Sequence, residues 1–569
     1  MTLFGPKVPL PPIPDDVSIP QFMLRAAGRL RPLRPSNVPF FIEDKTGRAV
    51  SFEEVHYRTY GLANALSIKW NIGVKDVVCL FTPNHVDYAP AIWAVHTLGG
   101  IITPANPNYT SDELKYQLTT SKAKLLITHP NCLDTARSAA HAYGLTDASI
   151  ILLDPSPTPG ITTAEELISF GASRPENYKA IVYKPGETKK TLAFLSFSSG
   201  TTGKPKAVAI THFSVVANIS QMSAHYHMDD PSYPHKRIIP GDVIMGVLPF
   251  FHIYGLVVIL HFTLWAGTSI VVVPKFNFTD FLNTISRHRV THLYLVPPQI
   301  VLLTKHPAVK GRDFSHVKFC MSGAAPLSGD LMKQLTKILP NASIGQGYGL
   351  TETCTTISQL QPERMLGTIG SAGALIPGVV AKVVKADGTL AKEGEQGELI
   401  VTGPWMPREY YGNPTATAET FVDGWVRTGD EVIIRDNEIF VVDRLKEIMK
   451  VRGFQVAPAE LEGHLLLHPD VVDVCVVGVP DDYSGEVPMA FVVPSSNALK
   501  RINQGQGQAV KKMIEKHVSD AKIQYKWLAG GVEFIDAIPK NPSGKILRRV
   551  LREKAKTFVR PQRVIQPKL

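Results

Sequence analysis

A layered α/β fold, a large N-terminal domain of α/β subdomains followed by a small α+β C-terminal domain, is predicted by three observations. Short apolar runs alternate with helical patterns through the first three quarters of the chain, the rhythm of layered structure with largely parallel sheets. The texture changes after about residue 440. The length, 569 residues, exceeds what one hydrophobic core sustains. The expected boundary falls near 443–446, giving domains over 1–443 and 444–569.

In chain order, "DVVCLFTPN" (76–84) reads as a strand entering a turn, and "YAPAIWAVHTLGG" (88–100) as a helix ending on glycines. "KLLITHP", "SIVVVP" and "THLYLVPP" are further buried strands, "TLAFLSF" is an apolar strand, and "ELIVTGP" is another strand candidate. No formally charged residue lies between Asp242 and Lys275. Pro249, His252, Gly255, His261 and Gly267 interrupt that stretch, so it reads as strand (243–248), helix (253–266) and strand (269–273) in a core, not as a membrane span. Beyond residue 438 a hairpin, a helix and a strand follow. The segment 497–512, "NALKRINQGQGQAVKK", reads as a polar loop and then a helix.

Hydrophobic residues make up 44% and charged residues 19%, an ordinary globular balance with no compositional case for large-scale disorder. The net charge is +10. Ten Lys or Arg against the single acid Glu553 fall within 540–568, which reads either as a solvated amphipathic helix or as a surface for anionic ligands. No nucleic-acid module is recognised. The five cysteines are widely spaced without a CxxC, which suggests neither a disulfide framework nor a structural zinc site and fits a reducing compartment. The proline-rich first 20 residues lack the apolar centre of a secretory signal.

The stretch "FLSFSSGTTGKPKAVAITH" (194–212) concentrates glycine, hydroxyl and lysine side chains directly after a strand. Glycines let a backbone approach phosphate, amides and hydroxyls donate, and lysine neutralises charge. It is not a nucleotide-hydrolase P-loop. Ser198 stands where that motif requires glycine, and Pro205 where it requires a metal-binding hydroxyl.

Four more stretches accompany it in order: "QGYGLTET" (346–353), "GWVRTGD" (424–430), "VVDRLKEIMKVRGFQVAPAELE" (441–462) and "PKNPSGKILRR" (539–549). With these five motifs the chain resembles the adenylate-forming superfamily of acyl-CoA synthetases, peptide-synthetase adenylation domains and luciferases, over roughly 40–555. "LPFFHIYGL", "MSGAAPL" and "GFQVAPAELE" are most similar to the 4-coumarate–CoA ligase branch.

The resemblance implies a two-step ligase using ATP, Mg²⁺ and coenzyme A. A carboxylate attacks the α-phosphate of ATP, and a thiol then displaces AMP. It implies that Ser198, Ser199, Gly200, Thr201, Thr202 and Lys206 cradle the β- and γ-phosphates. It places Gln346, Gly347 and Tyr348 at the nucleotide, Tyr348 against adenine, Thr351 on phosphate and Glu352 on Mg²⁺. Asp430 accepts the ribose hydroxyls, and Arg444 contacts the nucleotide near the domain junction. Lys446 is the hinge of a mobile small domain. Lys545 bridges the carboxylate and the α-phosphate in the first step, a task suited to a compact cation on a flexible stem.

For the second step the small domain is expected to rotate. Lys450 and Gln455 then reach the adenylate, while Arg452 and Gly453 line the pantetheine route. Lys275 matches a cation near the CoA nucleotide, although a lysine ending a strand needs no ligand to explain it. His252 is expected beside the acyl carboxylate; the alternative is a satisfied core histidine. Tyr254, Val258, Pro298, Gly323, Ala324, Ala325, Gly347 and Gly349 are expected to line the acyl pocket.

A hydroxycinnamate or related aryl acid is the first expectation for the substrate, and a medium-chain fatty acid the second. A carrier protein in place of CoA, a luciferase-like oxygenase and a noncatalytic binding protein stay open at this stage. The final tripeptide Pro567-Lys568-Leu569 partly matches a peroxisomal signal read by an import receptor, with proline at the small-residue position. Peroxisome or cytoplasm is the expected location.

Overall fold

The computed structural model describes all residues except 1–2, 7, 25–30, 157, 159, 199–203, 453, 482, 542–543 and 559–569. Ser199, Gly200, Thr201, Thr202, Gly453 and the tail Pro567-Lys568-Leu569 therefore lie outside the described residues.

The protein is mixed α/β, with a large N-terminal domain of three sheets and a smaller C-terminal domain of one. The first sheet has seven strands, in spatial order Thr162–Thr163, Ile150–Leu152, Ala123–Thr128, Val77–Phe81, Ile101–Ala105, Leu192–Ser198 and Lys206–Thr211. All its neighbours are parallel except the last pair. The second sheet, also seven-stranded, runs Ser343–Gln346, Phe319–Ser322, His292–Leu295, Val243–Gly246, Ser269–Val272, Phe41–Glu43 and Ala49–Val50, again parallel but for its final pair. Their central strands are almost wholly buried, as sheets covered on both faces require.

The uncharged stretch after Asp242 is core. Its strands Val243–Gly246 and Ser269–Val272 pair in parallel, and Tyr254–Thr263 is a buried helical segment with π-helical turns. Among the described residues no helix is long and apolar enough to cross a membrane, and all five cysteines are free thiols.

Two expectations change. The third sheet of the large domain, eight strands between Tyr348 and Arg444, is antiparallel throughout, not parallel. Several of its strands pair with sequence neighbours, which favours antiparallel ladders, and the one helix between them, Pro414–Thr420, leads into the antiparallel pair Phe421–Val422 and Trp425–Arg435. The segment 497–512, expected as a polar loop and then a helix, has its helix, but the stretch expected as loop is helical too. Helix Ser496–Arg501 passes through a π-helical turn into Gly507–Ala521, with a kink at Gly505 (φ 83°). Burial of Ala498, Val510 and Ile514 on one core overrides the weak helix propensity of Asn503, Gly505 and Gly507.

Strand Glu438–Arg444 still belongs to the third sheet, whereas the next strand, Met449–Val451, belongs to the five-stranded sheet of the small domain. That domain is organised around a buried ion cluster. Arg548 donates to both Glu462 oxygens at 2.8 and 2.9 Å, and its Nε lies 3.0 Å from Glu447. Arg552, one helical turn on, donates to the Lys446 carbonyl at 3.3 Å. The C-terminal helix Arg548–Ala555 therefore grips the segment joining the domains. The amphipathic reading of this helix holds, but Arg548 at its start is core.

The two parallel sheets are tied by one buried side chain, Asn84, in the turn after Val77–Phe81. Its amide donates to the carbonyls of Gly246 and Leu248 at 3.1 and 2.9 Å, and its oxygen accepts from the Phe250 amide at 2.8 Å. This strap sets the course of the loop leading to His252. Asn84→Leu leaves these buried groups without that partner and is expected to destabilise the protein by about 2–4 kcal/mol, read as a lowered midpoint of urea unfolding.

Candidate active site

The site is assembled where the sheets present their strand ends. The loops leaving Val243–Gly246, Phe319–Ser322 and Ser343–Gln346 all follow the carboxyl ends of neighbouring parallel strands, the position where open α/β sheets bind ligands. They carry His252, Gly323 to Ala325 and Gly347 to Glu352. The glycine-rich loop leaves Leu192–Ser198 of the first sheet. Its ends are pinned, because Ser198 and Lys206 face each other as the last rung of an antiparallel pair.

The turn 346–353 has a shape only its sequence allows. A Cβ on Gly349 would lie 1.5 Å from the Thr355 carbonyl oxygen, so the hairpin closes only on glycine. Thr351–Thr353 form one 3₁₀ turn, which the Thr353 hydroxyl ties back to the Leu350 amide at 2.9 Å. The Gln346 side chain, expected at the nucleotide, is bonded within the protein. It accepts from the Leu327 amide at 2.7 Å and donates to the Ser371 carbonyl at 3.0 Å, bracing the loop 323–327.

The third sheet supplies a carboxylate and a guanidinium as cross-strand partners. Asp430 and Arg444 are paired in register, with Arg444 Nε 3.4 Å from Asp430 Oδ1. The Tyr348 hydroxyl donates to Asp430 Oδ2 at 2.6 Å. Asp430 is only 4% exposed. Burial raises its pKa, while Arg444, Tyr348 and Lys545 oppose that rise by favouring the anion.

Glu352 is oriented by a residue absent from the sequence reading. The Tyr410 hydroxyl donates to Glu352 Oε1 at 2.8 Å, and the Lys206 ammonium stands 4.9 Å over the Tyr410 ring. Tyr410 lies in "REYYGNP", a stretch in which only the adjacent aromatics hinted at a role. Lys206 and Glu352 thus share one tyrosine.

Lys545 enters from the small domain. A turn carries it: Gly544 donates to the Asn541 carbonyl at 2.9 Å, the Lys545 amide donates to Asn541 Oδ1 at 2.8 Å, and Asn541 donates back to the Lys545 carbonyl at 2.8 Å. Gly544 has φ 82°, and a Cβ there would stand 3.0 Å from Val296 of the large domain. Glycine therefore permits both the turn and the close domain contact. Burial pushes the Lys545 pKa down to about 8. Arg444 adds to that depression, while Glu447, Asp430 and Glu352 work against it. His252 feels the same ammonium. Burial chiefly, and Lys545 next, lower its pKa to about 4, so it is a neutral imidazole at physiological pH. Its Nδ1 accepts from the Tyr254 amide at 3.3 Å.

At the acyl side, the Tyr254 ring occupies the space a Gly323 side chain would take, since a Cβ there would lie 2.7 Å from the ring. Tyr254 and Tyr294 meet edge to face at 6.4 Å. Among the described residues, both hydroxyls are buried without a hydrogen-bond partner. Tyr294 was not anticipated. It alternates with core residues in a run that reads only as a buried strand. Val258 is buried in the helix behind Tyr254, and Pro298, Ala325, Gly347 and Gly349 are partly exposed, whereas Ala324 is exposed.

Lys450 and Gln455, expected at the adenylate in the second step, Arg452 and Lys275, expected at the CoA route, and the expected hinge Lys446 are not gathered with these. Lys450, Arg452 and Gln455 lie on or beside the hairpin Met449–Val456. The side chains of Lys450 and Gln455 are exposed. Gln455 accepts from Gln396 of the large domain at 3.0 Å, and Arg452 stacks over Tyr483 at 4.9 Å. Lys275 is exposed after Ser269–Val272, and Lys446 is exposed in the connecting segment. Among the described residues none of these five is bonded to Asp430, Glu352 or Lys545. The small domain presents Lys545 inward and this hairpin outward.

A family model described as "AMP-binding enzyme" matches residues 31–411, and one described as "AMP-binding enzyme C-terminal domain" matches 460–545. The chain is similar to 4-coumarate–CoA ligase 3 of Arabidopsis thaliana, 36% identical over 97% of this chain and 94% of the relative. It is similar to 4-coumarate–CoA ligase 2 of Oryza sativa subsp. japonica, 35% identical over 97% and 95%. An acyl-CoA ligase of Glarea lozoyensis is 33% identical over 96% and 97%. Among solved structures, ATP-bound MatB from Rhodopseudomonas palustris matches with a TM-score of 0.79 and 26% identity, covering 95% of this chain and 99% of that one. An anthranilate CoA ligase in complex with anthranoyl-AMP shares the fold, with a TM-score of 0.81 at 24% identity over 96% and 98%.

Tyr410→Phe keeps the ring beneath Lys206 but removes the hydrogen bond that orients Glu352. One hydrogen bond to a charged group contributes roughly 1.5–3 kcal/mol, so the KM for Mg-ATP is expected to rise about tenfold, with the thermal midpoint nearly unchanged. The ATP dependence of pyrophosphate exchange measures it.

Proposed function

The chain belongs to the AMP-binding enzyme family and is an AMP-forming acyl-CoA ligase, and we propose that it activates a hydroxylated aryl acid, with Lys545 as the cation of the first step. One observation carries the assignment of Lys545. A buried ammonium of the small domain shares its surroundings with Arg444, Asp430 and Glu352 of the large domain.

The first step joins two anions. A carboxylate oxygen of the substrate bonds to the α-phosphorus of ATP, and the α–β bond breaks to release pyrophosphate. Repulsion between the anions is the obstacle, and fixed cations offset it. Lys545 would sit between carboxylate and α-phosphate, and Lys206 would hold the phosphates beyond. Asp430 would accept the ribose hydroxyls, with Tyr348 giving adenine an aromatic face and Thr351 a hydroxyl near phosphate. Neutral His252 would flank the acyl carboxylate without adding charge. Glu352 suits Mg²⁺, which takes one or two carboxylates together with substrate phosphates and keeps several waters. The ion would neutralise phosphate charge.

In the second step the CoA sulfur bonds to the acyl carbon, the bond from acyl carbon to phosphate oxygen breaks, and AMP leaves. Lys545 has no part in this exchange. The small domain would rotate about Lys446, withdrawing Lys545 and bringing Lys450, Arg452 and Gln455 inward.

The substrate class is supported by the plant relatives and by the two unpartnered phenols, Tyr254 and Tyr294, beside the acyl pocket. A site that hydrogen-bonds a substrate hydroxyl rejects the analogue lacking it, because its own buried groups then go unpaired. Pyrophosphate exchange is expected to be at least tenfold faster in kcat/KM with 4-hydroxycinnamate than with cinnamate or octanoate. A preference for octanoate overturns the aryl assignment.

Lys545→Ala is expected to abolish adenylation while sparing thioester formation from supplied acyl-adenylate. Equal loss of both steps removes Lys545 from its role. The pH dependence follows from its charge. With a pKa pushed down to about 8, the ammonium deprotonates as pH rises through that value. The kcat/KM of pyrophosphate exchange, which reports the free enzyme, is expected to fall about tenfold per pH unit above 8. Lys545→Arg should abolish that limb.

A further inference from the structure

The helix Pro458–Leu465 opens the small domain's helical layer, and its own sequence caps neither end. Ala457 stands at the N-cap and offers no side-chain acceptor, although Ser, Thr, Asp or Asn is the usual solution. At the other end stands Leu466 in right-handed helical geometry, with no glycine to turn the chain. A helix so built leaves amides and carbonyls open at its ends, positive at the first and negative at the last.

The large domain supplies what is missing. Asp443, in the strand Glu438–Arg444, accepts the Ala459 amide at Oδ2 at 3.1 Å. Lys305, at the end of helix Pro297–Lys305, donates to the Leu466 carbonyl and, at 3.3 Å, to the Val471 carbonyl. The anion sits at the positive end and the cation at the negative end. Packing follows the same line. Leu466 is shared between the cores of the two domains, and a Cβ on Gly463 would stand 3.4 Å from Ser328 of the large domain. The end of this small domain that carries Gly544 against Val296 is the end that carries Lys545.

We propose that Asp443 and Lys305 are positioning residues for adenylation: as caps supplied across the domain boundary, they hold the small domain in the orientation that places Lys545 in the site. Neither touches the reacting atoms. Rotation about Lys446 takes Ala459 and Leu466 away from them, since both partners stay fixed in the large domain. The two caps therefore stabilise the adenylating orientation alone. This rests on the two-step reading above.

The test separates the half-reactions. Lys305→Met keeps the aliphatic stem and removes the charge at a solvent-accessible position, and Asp443→Ala removes the other cap. Each is expected to lower pyrophosphate exchange at least tenfold, with thioester formation from supplied acyl-adenylate within twofold of wild type or faster. Lys305→Arg and Asp443→Asn, which still donate and accept, should recover most of the exchange. Equal loss in both half-reactions, unchanged exchange, or no recovery in the conservative variants overturns the proposal. If Asp443→Ala does not fold, Lys305→Met alone decides. A wild-type enzyme inactive in exchange with every acid would instead overturn the function on which the proposal rests.

Discussion

An ammonium taken largely out of water beside a guanidinium is an unfavourable arrangement, and much of this architecture maintains it. Lys545 loses hydration on entering the site, and Arg444 repels it further. Asp430, Glu352 and Glu447 return part of that cost without cancelling it. The remainder is available to an anion. On the proposed reading, a triphosphate and a carboxylate arriving together would complete a charge pattern already laid out, so that their mutual repulsion would meet fixed cations and not reorganising water. The turn at Asn541, the close approach of Gly544 to Val296 and the grip of Arg548 and Arg552 on the connecting segment all bear on where that one charge sits.

The division of labour between the sheets follows from their topology. The parallel sheets project loops from the ends of buried strands, which suits glycine-rich backbone and a pocket floor. The antiparallel sheet instead offers side chains in register across a ladder. That is how Asp430 and Arg444, 14 residues apart in sequence, become neighbours. A ligand held by both kinds of sheet would meet main-chain groups of loops on one side and side chains in register on the other.

What could be read from the sequence was what is local. The glycine-rich loop, Tyr348 to Glu352, Asp430 and Lys545 lie in short stretches where several unusual residues stand together. The parallel strands announce themselves as apolar runs. In the antiparallel third sheet the strand at "ELIVTGP" was legible, with alternation along Gln396–Thr402, but the direction of pairing was not, because it depends on connections between strands and not on their residue pattern. Only the first half of 497–512 was misjudged, because a polar stretch containing Gly505 is held helical by distant packing. Long-range partners were invisible. Asn84 reaches Phe250 across 166 residues, Tyr410 reaches Glu352 across 58, and Lys305 reaches Val471 across 166. No spacing rule links such residues. The outward hairpin with Lys450 and Gln455 shows the opposite limit, since a motif can name residues that act together without being together in one arrangement.

The glycines around the acyl pocket differ in how freely they could change. A side chain at Gly349 would collide with backbone, and one at Gly323 would have to displace the Tyr254 ring. At Gly347 the nearest atoms to a Cβ are 3.4 to 3.7 Å away, an ordinary van der Waals distance. Variation in the shape of this pocket, whether by drift among relatives or by design, thus has one open door at Gly347, one that swings with an aromatic ring at Gly323, and a wall at Gly349.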